Sequence, residues 1–253
     1  MTGKPTRKRL DILLVERGLA ESRQKAQAMI LAGEIEIDGK KAEKAGSNVA
    51  ETARVEVHSR RQKYVSRGGF KLEGALKDFR VSAEGCICLD VGSSTGGFTD
   101  CLLQQGAARV YAVDVNIDQL AWKLHEDARV IRIKKNARDL TQGDLPEKVD
   151  VVVADVSFIS VKKVLPGACA CAKAGAHLLI LIKPQFELER EDVGKGGIVR
   201  DPDLHQQAVL SVRNAARLLE LTILGIVPSR LPGAEGNQEY FLHARKVPRV
   251  ESQ

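Results

Sequence analysis

Four residues far apart in the chain, Lys71, Asp155, Lys183 and Glu239, are of types that move or hold protons. Asp155 follows the apolar run Asp150-Val-Val-Val-Ala154. Lys183 follows Leu178-Leu-Ile-Leu-Ile182, and Pro184 stops that run. A charge at the end of an apolar strand is expensive to bury unless it is paired. A structural ion pair between Asp155 and Lys183 is therefore the plain reading. Adding Lys71 and Glu239 gives a second one. Two lysines and two acids brought together can make one lysine easier to deprotonate, through like charge and desolvation. Such a lysine can take a proton from a hydroxyl.

A second constellation is continuous in sequence. The apolar stretch 86–91 carries Asp90. Gly92, Ser93, Ser94, Thr95, Gly96 and Gly97 follow, and helical spacing begins at Phe98. Strand, glycine loop and helix in that order form a nucleotide-binding turn: glycines allow close backbone approach, and a helix start offers free N–H groups. The spacing is G-x-x-x-G-G, not the G-x-G-x-x-G of dinucleotide sites. An acid beside the first glycine disfavours pyrophosphate and suits a ligand with a cationic or hydroxyl-rich end, such as S-adenosylmethionine. An ordinary strand-to-helix turn has the same outline. Asp114, 24 positions after Asp90, ends the next expected strand, where an acid can accept hydrogen bonds from ribose hydroxyls or merely cap a turn. Asp139 is a weaker candidate for the adenine side, with a plain turn as its alternative.

These residues need a scaffold. Apolar runs at 86–91, 109–115, 129–133, 150–156, 176–182, 221–227 and 238–244 read as strands. Helical spacing covers 70–79, 98–105, 117–126, 162–173 and 203–220. Alternation of this kind predicts an α/β, doubly wound, mostly parallel sheet of seven strands, with the last two antiparallel. Ligands sit at the carboxyl ends of strands in such sheets, and Asp90, Asp114, Asp155 and Lys183 are all expected there. Residues 184–202, with Gly194, Gly196 and Gly197, form a long loop expected to act as a lid over RNA or cofactor, with a passive surface loop as the alternative.

The front of the chain is different. Residues 1–71 hold 16 Lys/Arg against 9 Asp/Glu, and the rest hold 23 against 24, so the whole net charge of +6 originates there. That asymmetry points to a polyanion-binding module ahead of a near-neutral body. Leu10–Arg17 and Ser22–Leu31 read as two helices, with Arg23, Lys25 and Gln27 outward on the second. Ile35–Lys40 alternates into an Asp38-Gly39 turn, and Val49, Val55 and Val57 suggest further short strands. No apolar run approaches the ~18 residues of a membrane helix. Met1–Arg9 lacks the apolar core of a secretory signal. Five cysteines, two pairs of them C-x-C within apolar stretches, argue for reduced, mostly buried thiols rather than disulfides or a metal site. A cytoplasmic location is expected.

The front segment, R-L-D-x-x-L-V-E-R-G-L-A-x-S-R followed by I-x-x-D-G-K, resembles the alpha-L RNA-binding motif. The resemblance makes Arg7, Arg9, Arg23, Lys25 and Lys40 candidate phosphate contacts, giving shape-dependent and salt-sensitive affinity. Lys71, Asp155, Lys183 and Glu239 fall at the places of the K-D-K-E tetrad of FtsJ-like ribose 2′-O-methyltransferases. The order of Ser66-Arg-Gly-Gly-Phe-Lys-Leu72, Asp90–Asp100, Asp155–Ser160, Ile182–Glu187, Val193–Pro202 and Gly236–Phe241 resembles the TlyA family, an alpha-L module fused to such a methyltransferase. The resemblance implies a Rossmann-like methyltransferase fold over 68–246, a small α+β RNA-binding domain over 1–60 and a connector over 61–67. It also implies S-adenosylmethionine held by Asp90, Gly92, Ser94, Gly96, Gly97, Phe98, Asp114 and Asp139, and catalysis by the tetrad. The expected substrate is cytidine ribose in ribosomal RNA, free or in ribosomal subunits, with no metal, DNA or membrane partner. The connector departs from some members, reading Gln62-Lys-Tyr-Val65. Three rival classes are a non-catalytic S-adenosylmethionine sensor that binds RNA, a pseudouridine synthase and a membrane-lytic haemolysin. The sensor would not need the tetrad. The synthase would not need the acid-glycine loop. The haemolysin would need a membrane-seeking helix.

Overall fold

The computed structural model describes residues 6–57, 63–233 and 236–247. The basic start before Thr6 and connector residues 61–62 lie outside these. The chain divides into two compact units, Met1–Lys63 and Tyr64–Gln253.

In the first unit β1 (Arg7–Arg9) leads into α1 (Leu10–Glu16) and α2 (Arg23–Leu31). Four short strands follow: β2 (Ile35–Ile37), β3 (Lys40–Lys41), β4 (Asn48–Ala50) and β5 (Val55–Val57). Ser22 caps α2 by accepting a hydrogen bond from the Lys25 amide, as its residue type predicts. Asp38 and Gly39 both have positive φ, 49° and 77°, the geometry of a tight turn between β2 and β3. β1 pairs with β4, and β2 lies between β3 and β5, all antiparallel. Leu10, Leu14, Ala26, Ile30 and Ile35 fill the small core. Asp11 is also fully buried there, and Gln27, expected to point outward, turns back to it.

The second unit opens with α3 (Gly68–Phe79). It continues through β6 (Ile87–Val91), α4 (Gly97–Gln104), β7 (Arg109–Asp114), α5 (Trp122–His125), β8 (Val130–Lys134) and β9 (Val149–Ala154). Then come α6 (Leu165–Cys171), β10 (Ala172–Ile182), α7 (Pro184–Glu187), α8 (Pro202–Leu218), β11 (Leu221–Pro228) and β12 (Tyr240–Lys246). Seven strands form one sheet in the order β11-β12-β10-β9-β6-β7-β8. β12 is antiparallel to both its neighbours, and the other pairings are parallel. The order reverses between β6 and β9, which makes that pair the switch point where such sheets bind ligands.

Both faces of the sheet are covered. Leu89, Val91, Val152, Leu178 and Ile180 pack with Val212 and Ala216 of α8 on one side. Cys88, Val151, Val153, Leu179 and Leu181 pack with Leu72, Phe98 and Leu102 on the other. Neighbouring strand residues alternate between the two layers, which is why the strands read as unbroken apolar runs. Cys88, Cys101, Cys169 and Cys171 are buried and Cys86 is half-buried. Desolvation pushes the Cys171 thiol up to about 11, so it is protonated and inert at neutral pH. Among the described residues no helix is long and apolar enough to cross a membrane.

Three expectations shift. The helix over 117–126 is broken into a 3-10 turn, Ile117–Gln119, and the short α5, because Leu120 and Ala121 are extended. The strand expected from 176 begins at Ala172, directly after α6. Tyr64–Arg67, expected in the connector, fold with the second unit. Tyr64 is fully buried, and its ring lies where a Cβ on Gly69 would sit, 2.3 Å away.

Candidate active site

The sheet register assembles the tetrad. Val91 pairs with Ala154, Ala154 with Ile180, and Ile182 with Tyr240. Asp155, Lys183 and Glu239 are each the next residue at the same end of the sheet, and Asp90 is the last but one residue of β6. Lys183 Nζ lies 2.5 Å from Asp155 Oδ1 and donates to Ser157 Oγ at 2.8 Å. Lys71, on the first turns of α3, lies 2.5 Å from Glu239 Oε2. Both members of this second pair are buried. The tetrad is thus two ion pairs. The plain reading of Asp155 and Lys183 holds geometrically, yet their pair is not shut in the core. Lys71, Asp155 and Lys183 line one cavity of about 210 Å³ together with Gly92, Ser94, Gly97, Phe98 and Ser157. Besides its contacts with Asp155 and Ser157, Lys183 keeps donor capacity for a group brought into that cavity. Glu239 does not line it and reaches it only through its contact with Lys71.

A second cavity of about 530 Å³ shares Gly92, Ser94, Asp155 and Ser157 with the first. It extends over Asp114, Asn116, Gln119, Asn136, Arg138 and Ile159. Asp114 accepts hydrogen bonds from the amides of Ser94 and Asn116, both at 2.9 Å. It ties the glycine loop to the end of β7 and retains lone pairs for a ligand. Asp139 is exposed and does not line this cavity. It closes a 3-10 turn whose other residues, with Asn136, do face it.

The glycines have a reason the sequence did not reveal. A Cβ on Gly92 would meet the Asp155 carbonyl oxygen at 2.5 Å, and one on Gly97 would meet Ser66 Oγ at 2.2 Å. The loop is glycine-rich because the Asp155 turn and the Ser66 segment press against it. Asp90 lies beneath, fully buried. Its Oδ2 accepts from Thr99 Oγ1 at 2.7 Å, and its Oδ1 has no partner. Burial pushes its carboxyl up to about 7.

The expected lid is fastened at both ends. Glu187 accepts hydrogen bonds from Ser160 Oγ and the Val161 amide, joining the turns after β9 and β10, and burial raises its pKa. Asn237 donates to the Gly197 carbonyl at 2.7 Å and accepts from the Val199 amide at 2.9 Å. Only residues 188–196 lie between these fastenings. Ser157, Asn116, Glu187 and Asn237 were not singled out from sequence. Ser157 alone carried a signal, the i+2 spacing from Asp155 beyond a strand end.

The candidate RNA contacts Arg7, Arg9, Arg23, Lys25 and Lys40 are all exposed on the first unit. Arg9 and Arg23 are brought together by Asp11, which accepts from both, at 2.9 and 3.2 Å through Oδ2. Arg9, then Gln27 and Arg23, hold the Asp11 carboxyl well below the usual carboxylate range against its burial. Lys40 lines a groove with Lys41 and Lys44.

An orphaned buried acid under a glycine loop, a strand-end carboxylate over a roomy cavity, and a helix start without a side-chain cap together fit S-adenosylmethionine. The comparisons agree with this chemistry. Residues 64–246 match the FtsJ-like methyltransferase family, and residues 8–55 match the S4 domain. The 16S/23S rRNA (cytidine-2′-O)-methyltransferase TlyA of Mycobacterium tuberculosis is 47% identical over 241 residues, which is 94% of this chain and 90% of that one.

The chain belongs to the TlyA family.

It is therefore an S-adenosylmethionine-dependent methyltransferase with an N-terminal S4 domain. Another relative, Hemolysin A of Brachyspira hyodysenteriae, is 43% identical over 237 residues, covering 93% of this chain and 98% of its own. A solved structure described as a hemolysin, from Streptococcus thermophilus, is 37% identical. It superposes with a TM-score of 0.74 over 97% of this chain and 90% of that one. For this TlyA-family chain the S4 match falls on the basic front segment, and the methyltransferase match begins at buried Tyr64.

Proposed function

We propose that this chain transfers a methyl group from S-adenosylmethionine to the 2′-hydroxyl of cytidine in ribosomal RNA. The observation that carries the reading is the Lys183–Asp155 pair on the wall of a cavity that also holds the glycine loop and abuts the Asp114 cavity. The printed activity of the M. tuberculosis relative supports the choice of cytidine ribose in rRNA.

In this mechanism Asp114, Asn116 and the loop from Gly92 to Phe98 hold the cofactor, with Asp90 buried beneath the loop. S-adenosylmethionine supplies, when bound, a methyl group on a positively charged sulfur. Lys183 receives the 2′-hydroxyl through its remaining donor capacity. The pair of Lys183 and Asp155 would take up the hydroxyl proton as the oxygen–carbon bond forms and the methyl–sulfur bond breaks, the sulfur leaving as a neutral thioether. Ser157 and Asp155 fix the direction of the amine. Lys71, paired with Glu239, adds positive charge to the same cavity and helps seat the ribose. Alignment of the reacting atoms supplies much of the rate in such a displacement.

In this scheme residues 1–60 grip the RNA and residues 68–246 perform the transfer. Residues 61–67 lie between them, and of these Tyr64–Arg67 belong structurally to the catalytic unit. The reaction belongs where ribosomal RNA is, in the cytoplasm. The deciding experiment incubates the protein with labelled cofactor and ribosomal RNA, digests the RNA to nucleosides and separates ribose-methylated from base-methylated products. Label in 2′-O-methylcytidine is expected. Label on a base, or none on RNA, would refute the proposal.

A further inference from the structure

The second unit displays a feature that the methyl-transfer site does not use. Trp122, the single tryptophan of the chain, has 75% of its surface exposed. It sits on α5 with its ring nearly parallel to that of His125 one turn on, 23° apart at a centroid distance of 6.0 Å. His125 is fixed in turn. Its Nδ1 accepts a hydrogen bond from Arg132 Nη1 at 2.8 Å, and its Nε2 is enclosed without a hydrogen-bond partner. The imidazole, fixed by Arg132, thus works as a backing plate for the indole. One side of the indole is supported while the side chain as a whole stays open to solvent.

The charge beside the platform is positive at Arg132. Its guanidinium is bonded to an imidazole nitrogen and not to a carboxylate, so its charge is not cancelled there. Arg132 lies on β8, the outermost strand at that end of the sheet; Lys134 on the same strand is paired with Asp118 at 3.4 Å. Lys123, next to the tryptophan, is half exposed beside Asp100. A supported aromatic face beside a guanidinium matches an unpaired nucleobase with its phosphate, since stacking serves any base and the guanidinium serves the backbone. The platform is also coupled to the cofactor loop. The Ala121 amide donates to the Thr95 carbonyl at 3.1 Å, and a Cβ on Gly96 would meet Leu124 at 2.2 Å and Leu120 at 2.8 Å.

We propose that Trp122, backed by His125 and flanked by Arg132, is a stacking platform for one unpaired base of the RNA substrate, outside the methyl-transfer cavity. The inference rests on RNA being the substrate. It assigns that RNA a contact on the methyltransferase unit itself.

A single tryptophan makes the test direct. The full chain is titrated with a fluorescein-labelled oligouridine of twelve nucleotides. Anisotropy reports binding and tryptophan emission reports stacking. Emission is expected to fall in step with the anisotropy rise. Trp122→Ala is expected to weaken binding by about 5- to 100-fold, the loss of one stacked base. Trp122→Phe should recover most of that loss, and both variants should bind S-adenosylmethionine within about twofold of the parent, as folding controls. Oligouridine that binds with unchanged emission, and equally to Trp122→Ala, would overturn the platform alone. Absence of any binding by this RNA and by ribosomal RNA would overturn the RNA reading and the platform with it. Emission that changes with protein concentration in the absence of RNA would assign the face to a second copy of the chain and also refute the proposal.

Discussion

Lys183 has the sharpest consequence of any single residue. Its amine is held by Asp155 and Ser157 at the cavity wall, and its removal leaves the glycine loop and Asp114 untouched. Lys183→Ala should lower the rate of methyl transfer by about 10²- to 10⁴-fold, the range for loss of a positioned proton-handling group. Cofactor affinity, read by calorimetry, should stay within about threefold. Normal turnover by this variant would remove Lys183 from the mechanism. Sequence reasoning found Asp155 and Lys183 because each carries a charge at the end of an apolar run; Lys71 and Glu239 were marked by the resemblance to the K-D-K-E tetrad. It anticipated the pair of Lys183 and Asp155, since each ends an apolar strand. It could not find the partner of Lys71, because the meeting of α3 with Glu239 depends on tertiary packing. Asp139 marks a limit of the pattern: an acid placed after the third strand satisfied it, yet the residue is exposed and is not among those that line the cavity with Asn136 and Arg138.

At the scale of elements, the strand–loop–helix turn carries both packing and binding. Gly92 has φ of +85°, and its missing side chain is where the Asp155 carbonyl passes. Gly92→Ala should destabilise the protein by about 2–4 kcal/mol through strain and backbone contact. Because that contact is with Asp155, activity should fall further than stability explains. Denaturant midpoints and turnover measured on the same preparation separate the two, and a variant with parental stability would contradict the packing account. The strands were legible because both sheet faces are buried and the runs are uniformly apolar. The broken helix at Leu120 was not, since its cause is the tertiary demand that Leu120 and Leu124 reach Gly96. The long loop read as a lid was legible as a loop, but its fastening by Glu187 and Asn237 joins residues up to 40 positions apart.

Across the whole molecule two buried groups set opposing responses to pH. His243 is held neutral by burial, then by His177 and Arg245, and its folded pKa falls from 6.5 to about 4. Its contribution is present above pH 6.5 and is lost as pH falls towards 4, on the order of 3 kcal/mol. Asp90 is raised from 3.8 to about 7 by burial, so its contribution is full below pH 4 and is lost as pH rises through 7, on the order of 4 kcal/mol. Between pH 7 and 4.5 the two nearly cancel. Denaturation midpoints of the parent should therefore change little over that range. Asp90→Asn should make the protein less stable on acidification, and His243→Gln should make it more stable. Parallel behaviour of both variants would show that these groups do not control the response.

The charge asymmetry is the other molecular property. Arg9 and Arg23 are held side by side by Asp11 on the unit that carries the basic excess. Replacing each with alanine should lower the slope of log affinity against log salt by about one, without changing preference among RNA sequences. An unchanged slope would remove them from the RNA contact.

The sequence by itself determined the kind of fold, the basic front module and the residue types of the site, because hydrophobic period, charge imbalance and strand-end position are local properties. Only the tertiary structure decided that Lys71 pairs with Glu239, why the loop must be glycine and that Asp11 is a buried hub. It also decided that Tyr64 belongs to the catalytic core. Each of these depends on two segments meeting, through strand register or backbone contact, and no local pattern encodes the partner.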